Sequence, residues 1–191
     1  MNSKVSVKFW SELDGLRADQ TGPAFRYGEI ERALAALHKV PAGARKTLQS
    51  RIKHFQRIGL APAAPGRGHK VEYGIAGVLL WAVSLELSEC ALPPEQIKEV
   101  LNLNGPNIFH TFEGPVPDED LIFVLQANFL EWHLRVDGSK MTGEGQTQSG
   151  IVTVSQIRDM IFKKWDVPRL IMINLTDLKR RLADALNIEW T

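Results

Sequence analysis

Residues 46–70 read KTLQSRIKHFQRIGLAPAAPGRGHK, and what this stretch becomes decides the fold. Leu48, Ile52, Phe55 and Ile58 recur at steps of four, three and three, which places them on one face of a helix predicted over 44–58. Arg45, Lys46, Gln49, Lys53, His54 and Arg57 occupy much of the remaining surface, with no carboxylate among them. Such a helix has an apolar stripe to pack and a donor-rich face suited to a polyanion, since Lys and Arg neutralise phosphates while Arg and Gln also reach base edges. A solvated basic face on an ordinary surface helix carries the same pattern, so the choice rests on the flanks.

On the N-terminal side, Ile30, Leu34, Leu37 and Val40 repeat at helical steps, and Ala33, Ala35 and Ala36 favour a helical backbone over 27–40. Pro41 and Gly43 provide a tight connection to the basic helix. Two helices joined by a short turn, the second one basic, give a helix-turn-helix outline. On the C-terminal side, Gly59 stands where a residue just past a helix end often needs a positive φ. Pro62, Pro65, Gly66 and Gly68 then alternate with Arg67, His69 and Lys70, and residues 70–73 alternate as a short strand would. A basic hairpin at this point reads as a wing; a plain surface loop is its ordinary alternative.

Charge is unevenly spread. The 191 residues carry a formal net charge of +1, yet residues 25–73 hold ten Lys and Arg against three Asp and Glu, and residues 74–191 hold ten against sixteen. A field focused on one segment attracts a polyanion there and avoids non-specific attraction elsewhere. With 44% hydrophobic and 24% charged residues, the chain is long enough to bury a sizeable core. The single cysteine, Cys90, excludes an internal disulfide framework and a multi-cysteine zinc site. The first residues lack the apolar core of a secretory signal, and no apolar run spans a bilayer, so the expectation is a cytoplasmic, nucleoid-associated protein with no membrane partner.

Elsewhere a short helix is expected around residues 9–16, ahead of a loop at 20–23. A broad apolar helix is expected over 74–92, buried in the core or against a partner chain. A short helix opened by Pro93 and Pro94 follows, through Leu101. Residues 102–117, with three prolines and two glycines, read as a linker. Beyond it lie a dense apolar run at 121–136, strand-like at its start, and a polar, glycine-rich stretch at 137–150. A short strand at 151–154 leads to a helix capped by Ser155. A buried strand at 168–174 then leads to a last helix capped by Asn174 or Thr176. The expected fold class is α+β. Its expected divisions are a leader at 1–24, a DNA-binding domain at 25–101, the linker at 102–117 and an α+β dimerisation, effector or partner-binding region at 118–191.

The order of elements, with Tyr27-Gly-Glu-Ile30 in the first helix, Thr47-Leu48 and Arg57-Ile-Gly-Leu60 in and after the second, Pro62, the 67–73 wing and Leu92-Pro-Pro-Glu-Gln-Ile97, resembles the MerR-like winged-helix DNA-binding domains. It covers residues 25–101. After them the chain departs from the family, entering a proline-rich segment where a long dimerisation coiled coil is usual. The resemblance implies a bacterial or phage transcriptional regulator that binds double-stranded DNA as a homodimer and needs no cofactor. An excision or packaging factor with the same reading head is the alternative. The expected contacts are Arg45, Lys46, Thr47, Gln49, Ser50, Lys53, His54 and Arg57 from the helix, and Arg67, His69 and Lys70 from the wing. A protein-interaction module without DNA binding is the competing class, its faces being the apolar stretches at 78–87 and 123–132.

An enzyme is not expected. Gly66-Arg-Gly68 follows no buried strand and lacks a third glycine, and the glycines at 143–150 precede no Lys-Ser or Lys-Thr pair. No serine stands in a nucleophile-elbow context. Glu131, His133, His110 and Glu113 are the one acid–histidine grouping, and they lack the spacing of a helical zinc motif.

Overall fold

The computed structural model describes residues 24–61, 72–112, 116–126, 149–163 and 169–189. The chain runs β1 (Ala24–Arg26), α1 (Tyr27–Leu37), a 3-10 turn (Ala42–Ala44), α2 (Arg45–Arg57), β2 (Glu72–Gly74), α3 (Ile75–Glu89), α4 (Pro94–His110), β3 (Leu121–Gln126), β4 (Ser149–Thr153), α5 (Val154–Lys163), β5 (Leu170–Asn174) and α6 (Leu175–Leu186). Helices and two small antiparallel sheets are mixed, as an α+β chain requires.

α3 is the hub. Gly77 to Leu85 and Leu87 are all buried, so this helix is apolar all round and enclosed within the chain itself. Its Trp81 is fully buried and meets Tyr73 of β2 edge-on, with ring centroids 5.0 Å apart and planes at 68°. Around α3 pack α1, α4 and β2. α6 lies along α1 on one side and against β3 on the other.

The C-terminal sheet has the order β4-β3-β5, with both pairs antiparallel. Alternation along β3 splits its side chains between two cores. Phe123 and Leu125 join Ile173 in the main core, which also holds Phe25, Ile30, Phe55, Trp81 and Leu182. Ile122 and Val124 join Val152 in a smaller cluster on the opposite face, flanked by Ile157 of α5 and Leu170.

Three helix ends follow one design. At the ends of α1, α2 and α3 the residue after the cap is left-handed, namely Lys39 (φ 51°), Gly59 (φ 78°) and Ala91 (φ 63°). The following N–H reaches back to a carbonyl of the last turn in a closing bond: Val40 to Ala35 O at 2.8 Å, Leu60 to Phe55 O at 2.8 Å, and Leu92 to Leu87 O at 3.3 Å. Gly59 thus occupies the position its sequence context indicates. In the α1–α2 turn the left-handed residue is Lys39.

Several expectations need correcting. Residues 102–117 are not a linker over their first half, since α4 continues to His110 through Gly105 and Pro106. Asn104, Gly105 and Ile108 are buried there, and the Asn104 side chain donates to Val100 O and accepts from Ser149 Oγ of β4. These tertiary contacts outweigh the local breaking tendency of the proline. The same main core spans residues before and after this stretch, from Phe25 to Leu182.

Helix α5 begins at Val154, so Ser155 lies inside its first turn. Thr153 N–H is bound by the Gln156 side chain at 3.2 Å, and Ser155 N–H donates to Glu119 Oε1 at 2.6 Å. The bonds from Ser155 hold the Glu119 carboxyl below its usual pKa. At α6 the cap is Asn174, whose Oδ1 accepts from Asp177 N at 2.8 Å; Thr176 Oγ1 instead accepts from Leu121 N. No helix among the described residues is long and apolar enough to cross a membrane. The helix expected at 9–16 and the stretch 127–148 lie outside the described residues.

Candidate nucleic-acid interface

The basic segment forms α2, thirteen residues with five Lys and Arg and no acid. Leu48, Ile52 and Phe55 are its buried residues, with exposures of 6%, 0% and 1%. At 100° per residue the opposite face carries Lys46, Ser50, Lys53 and Arg57, and all four are exposed. Lys46 and Arg57 lie roughly 16 Å apart along the axis, so one straight stripe presents three cations around a small hydroxyl.

The other expected helix residues flank this stripe. Thr47 is exposed, while Arg45, Gln49 and His54 are half-buried. Arg57 Nη2 donates to His54 Nδ1 at 2.8 Å. A guanidinium has no acceptor, so His54 Nδ1 must be the bare ring nitrogen and Nε2 carries the proton. His54 therefore orients Arg57. Arg51, the fifth cation, points elsewhere: its Nη1 pairs with Glu89 Oε1 of α3 at 2.9 Å. The count of charges does not separate Arg51 from its neighbours. Its position, 100° of rotation away from Ser50, does.

The two ends of α2 differ. At the C-terminal end Lys98 Nζ of α4 reaches Ile58 O at 3.4 Å and Ser84 Oγ donates to Leu60 O at 3.3 Å. Arg57 lies in the last turn, where a cation complements the helix dipole. At the N-terminal end Ala44 supplies no side-chain cap, and no acid occupies the first turn. Arg45 and Lys46 instead stand at the positive pole of the dipole, each at a cost of about 0.3–1 kcal/mol.

Arg67, His69 and Lys70, expected in the wing, lie outside the described residues. The chain leaves α2 at a buried Ala61 and returns at β2, which pairs with β1 in the register Phe25↔Tyr73 and Arg26↔Glu72. Strand β1 carries no strong sequence signal and exists only through this pairing. Gln56 Nε2 donates to Tyr73 OH at 3.3 Å, tying the returning strand to the last turn of α2.

Among the described residues no group of three or more His, Cys, Asp or Glu is placed to hold a metal ion. His110 is exposed on the last turn of α4, while Glu113, Glu131 and His133 lie outside the described residues. The α2 face, rather than an acid–histidine cluster, is the chemically distinctive surface. No family model matches the chain, and no curated protein matches it either.

Proposed function

We propose that this chain is a sequence-specific DNA-binding regulator of the MerR-like winged-helix kind, with α1 and α2 as its helix-turn-helix and α2 as the reading helix. The observation that carries the reading is the exposed stripe of Lys46, Ser50, Lys53 and Arg57 on a helix whose opposite face is fully buried. A major groove about 12 Å wide admits such a helix, with long cations near the ends reaching phosphates and short residues between them facing base edges. Arg45 and Lys46 at the uncapped end take a backbone phosphate. Arg67, His69 and Lys70 follow the backbone or minor groove from the wing. The C-terminal α+β part joins two copies, which doubles the contacts on a palindromic site.

The competing interaction-module reading loses one of its two faces. The apolar stretch at 78–87 is consumed inside the chain around α3. An excision or packaging role uses the same head on DNA and differs only in where the site lies.

The test is a fluorescence-anisotropy titration with duplex DNA at several salt concentrations, on the chain and on the triple variant Lys46→Ala, Lys53→Ala, Arg57→Ala. DNA affinity is expected to fall steeply with salt, with the log–log slope shallower in the variant by about 0.9 for each phosphate that is no longer neutralised. The melting temperature should stay where it is, because the three side chains are exposed. Equal affinity and equal slope for both proteins would sink the proposal.

A further inference from the structure

The junction of α1, α3 and α6 holds a cluster that the DNA-binding reading does not use. His38 is the cap residue at the end of α1, and its ring is 10% exposed. Its Nδ1 lies 3.9 Å from Glu86 Oε1 of α3, and its buried Nε2 has no hydrogen-bond partner among the described residues. The same Glu86 oxygen receives Arg181 Nη2 of α6 at 3.3 Å. Arg181 also donates from Nη1 to Leu37 O, at the C-terminal end of α1, at 3.2 Å. Its Nε is held by Asp177 Oδ2 at 2.7 Å, which fixes the guanidinium in this orientation.

One arginine thus ties the last helix to the turn that precedes α2, and one carboxylate is shared between that arginine and a histidine. The charged groups that act on the His38 ring are Glu86 and Glu89 of α3, Arg181 of α6 and Arg51 of α2. Burial opposes a protonated ring most strongly, the two acids favour it, and the two arginines add to the opposition.

We propose that His38, Glu86 and Arg181 form a proton-operated clasp that holds the α1–α2 turn against α6 while His38 is neutral and lets go when the ring takes up a proton. The balance of desolvation over the nearby acids places the His38 pKa below its ordinary value in the closed junction. An opened junction hydrates the ring and restores an ordinary value of about 6.5. The open state then binds the proton more readily, so closure weakens as pH falls below about 6.5 and levels off beneath the closed-state value. The device is independent of what α2 binds, since it concerns how the turn before α2 is held.

Two measurements on the full chain test it. Imidazole resonances are followed by NMR from pH 8 to pH 5, in the wild type and in Arg181→Met and Glu86→Gln. His38 is expected to titrate below its ordinary value, to move up when Arg181 is removed and to move further down when Glu86 is neutralised. Hydrogen exchange at Val40 N–H, which closes the end of α1 on Ala35 O, reads the opening itself. After correction for the chemical step, its exchange is expected to quicken by up to about tenfold per pH unit across the window in the wild type, and not in His38→Gln. An ordinary His38 titration overturns the proposal, as does an equal response of Val40 in the wild type and His38→Gln. Arg181→Met alone suffices for the titration arm if Glu86→Gln does not fold.

Discussion

At the scale of single residues, the left-handed residues at the ends of α1, α2 and α3 carry different costs. A non-glycine residue in this conformation places its Cβ against the following carbonyl oxygen, at about 1–2 kcal/mol. Gly59 avoids that penalty, and nothing lies within 4 Å of where its Cβ would stand, so only the backbone angle is at stake. Ala91, exposed and at φ 63°, carries the full penalty. Ala91→Gly is therefore expected to stabilise the protein by about 0.5–1 kcal/mol, after allowing for the greater freedom of glycine in the unfolded chain. Gly59→Ala should destabilise it by a similar amount. Urea unfolding of the two variants beside the wild type checks both signs.

At the scale of elements, periodicity in the sequence was legible and punctuation misled. The repeats at Ile30-Leu34-Leu37 and Leu48-Ile52-Phe55 place α1 and α2 within a few residues of their observed bounds, because each helix buries one stripe and little else. The exposed face of α2 was legible for the same reason. Arg51 stands off this face by its rotation on the helix and is not among the expected contacts, but its partner Glu89, from another helix 38 residues away, was not legible. β1 was invisible because three residues carry no alternation to read.

Pro106 and Gly105 produced the opposite error. They mark a loop by local preference, yet the turns around them are buried and bonded to β4. Pro106 itself is exposed, and its ring removes the N–H that would close the helix onto Asn102. Pro106→Ala is expected to restore that bond and raise stability by about 1–3 kcal/mol. Thermal unfolding should then show a melting temperature higher by at least about 2 °C. A lower value would mean that Pro106 is needed for Asn104 to meet Ser149.

At the scale of the whole molecule, the main core continues across the expected division at 102–117. Phe25, Trp81, Phe123 and Leu182 belong to one continuous cluster, built around α3. Trp81→Ala removes its largest fully buried side chain, at an expected cost of about 3–5 kcal/mol. Because one core serves both halves, that loss should shift a single unfolding transition. The test is coincidence: tryptophan fluorescence of the wild type and backbone circular dichroism of both proteins should give one midpoint for each protein. Two separated transitions in the wild type would contradict a shared core. The uneven charge, by contrast, needs no division of the fold, because a basic face can sit on a common core as readily as on a separate one.

The packing of α1 along α6 has a further bearing on how the chain matures. During synthesis residues 27–37 leave the ribosome long before residues 175–186, so for most of that time α1 has no α6 to pack along. The helix pair α1–α2 therefore comes to rest only after residues 175–186 have emerged, and a fragment cut short of Leu175 would carry an adhesive, unfinished head rather than a portable one.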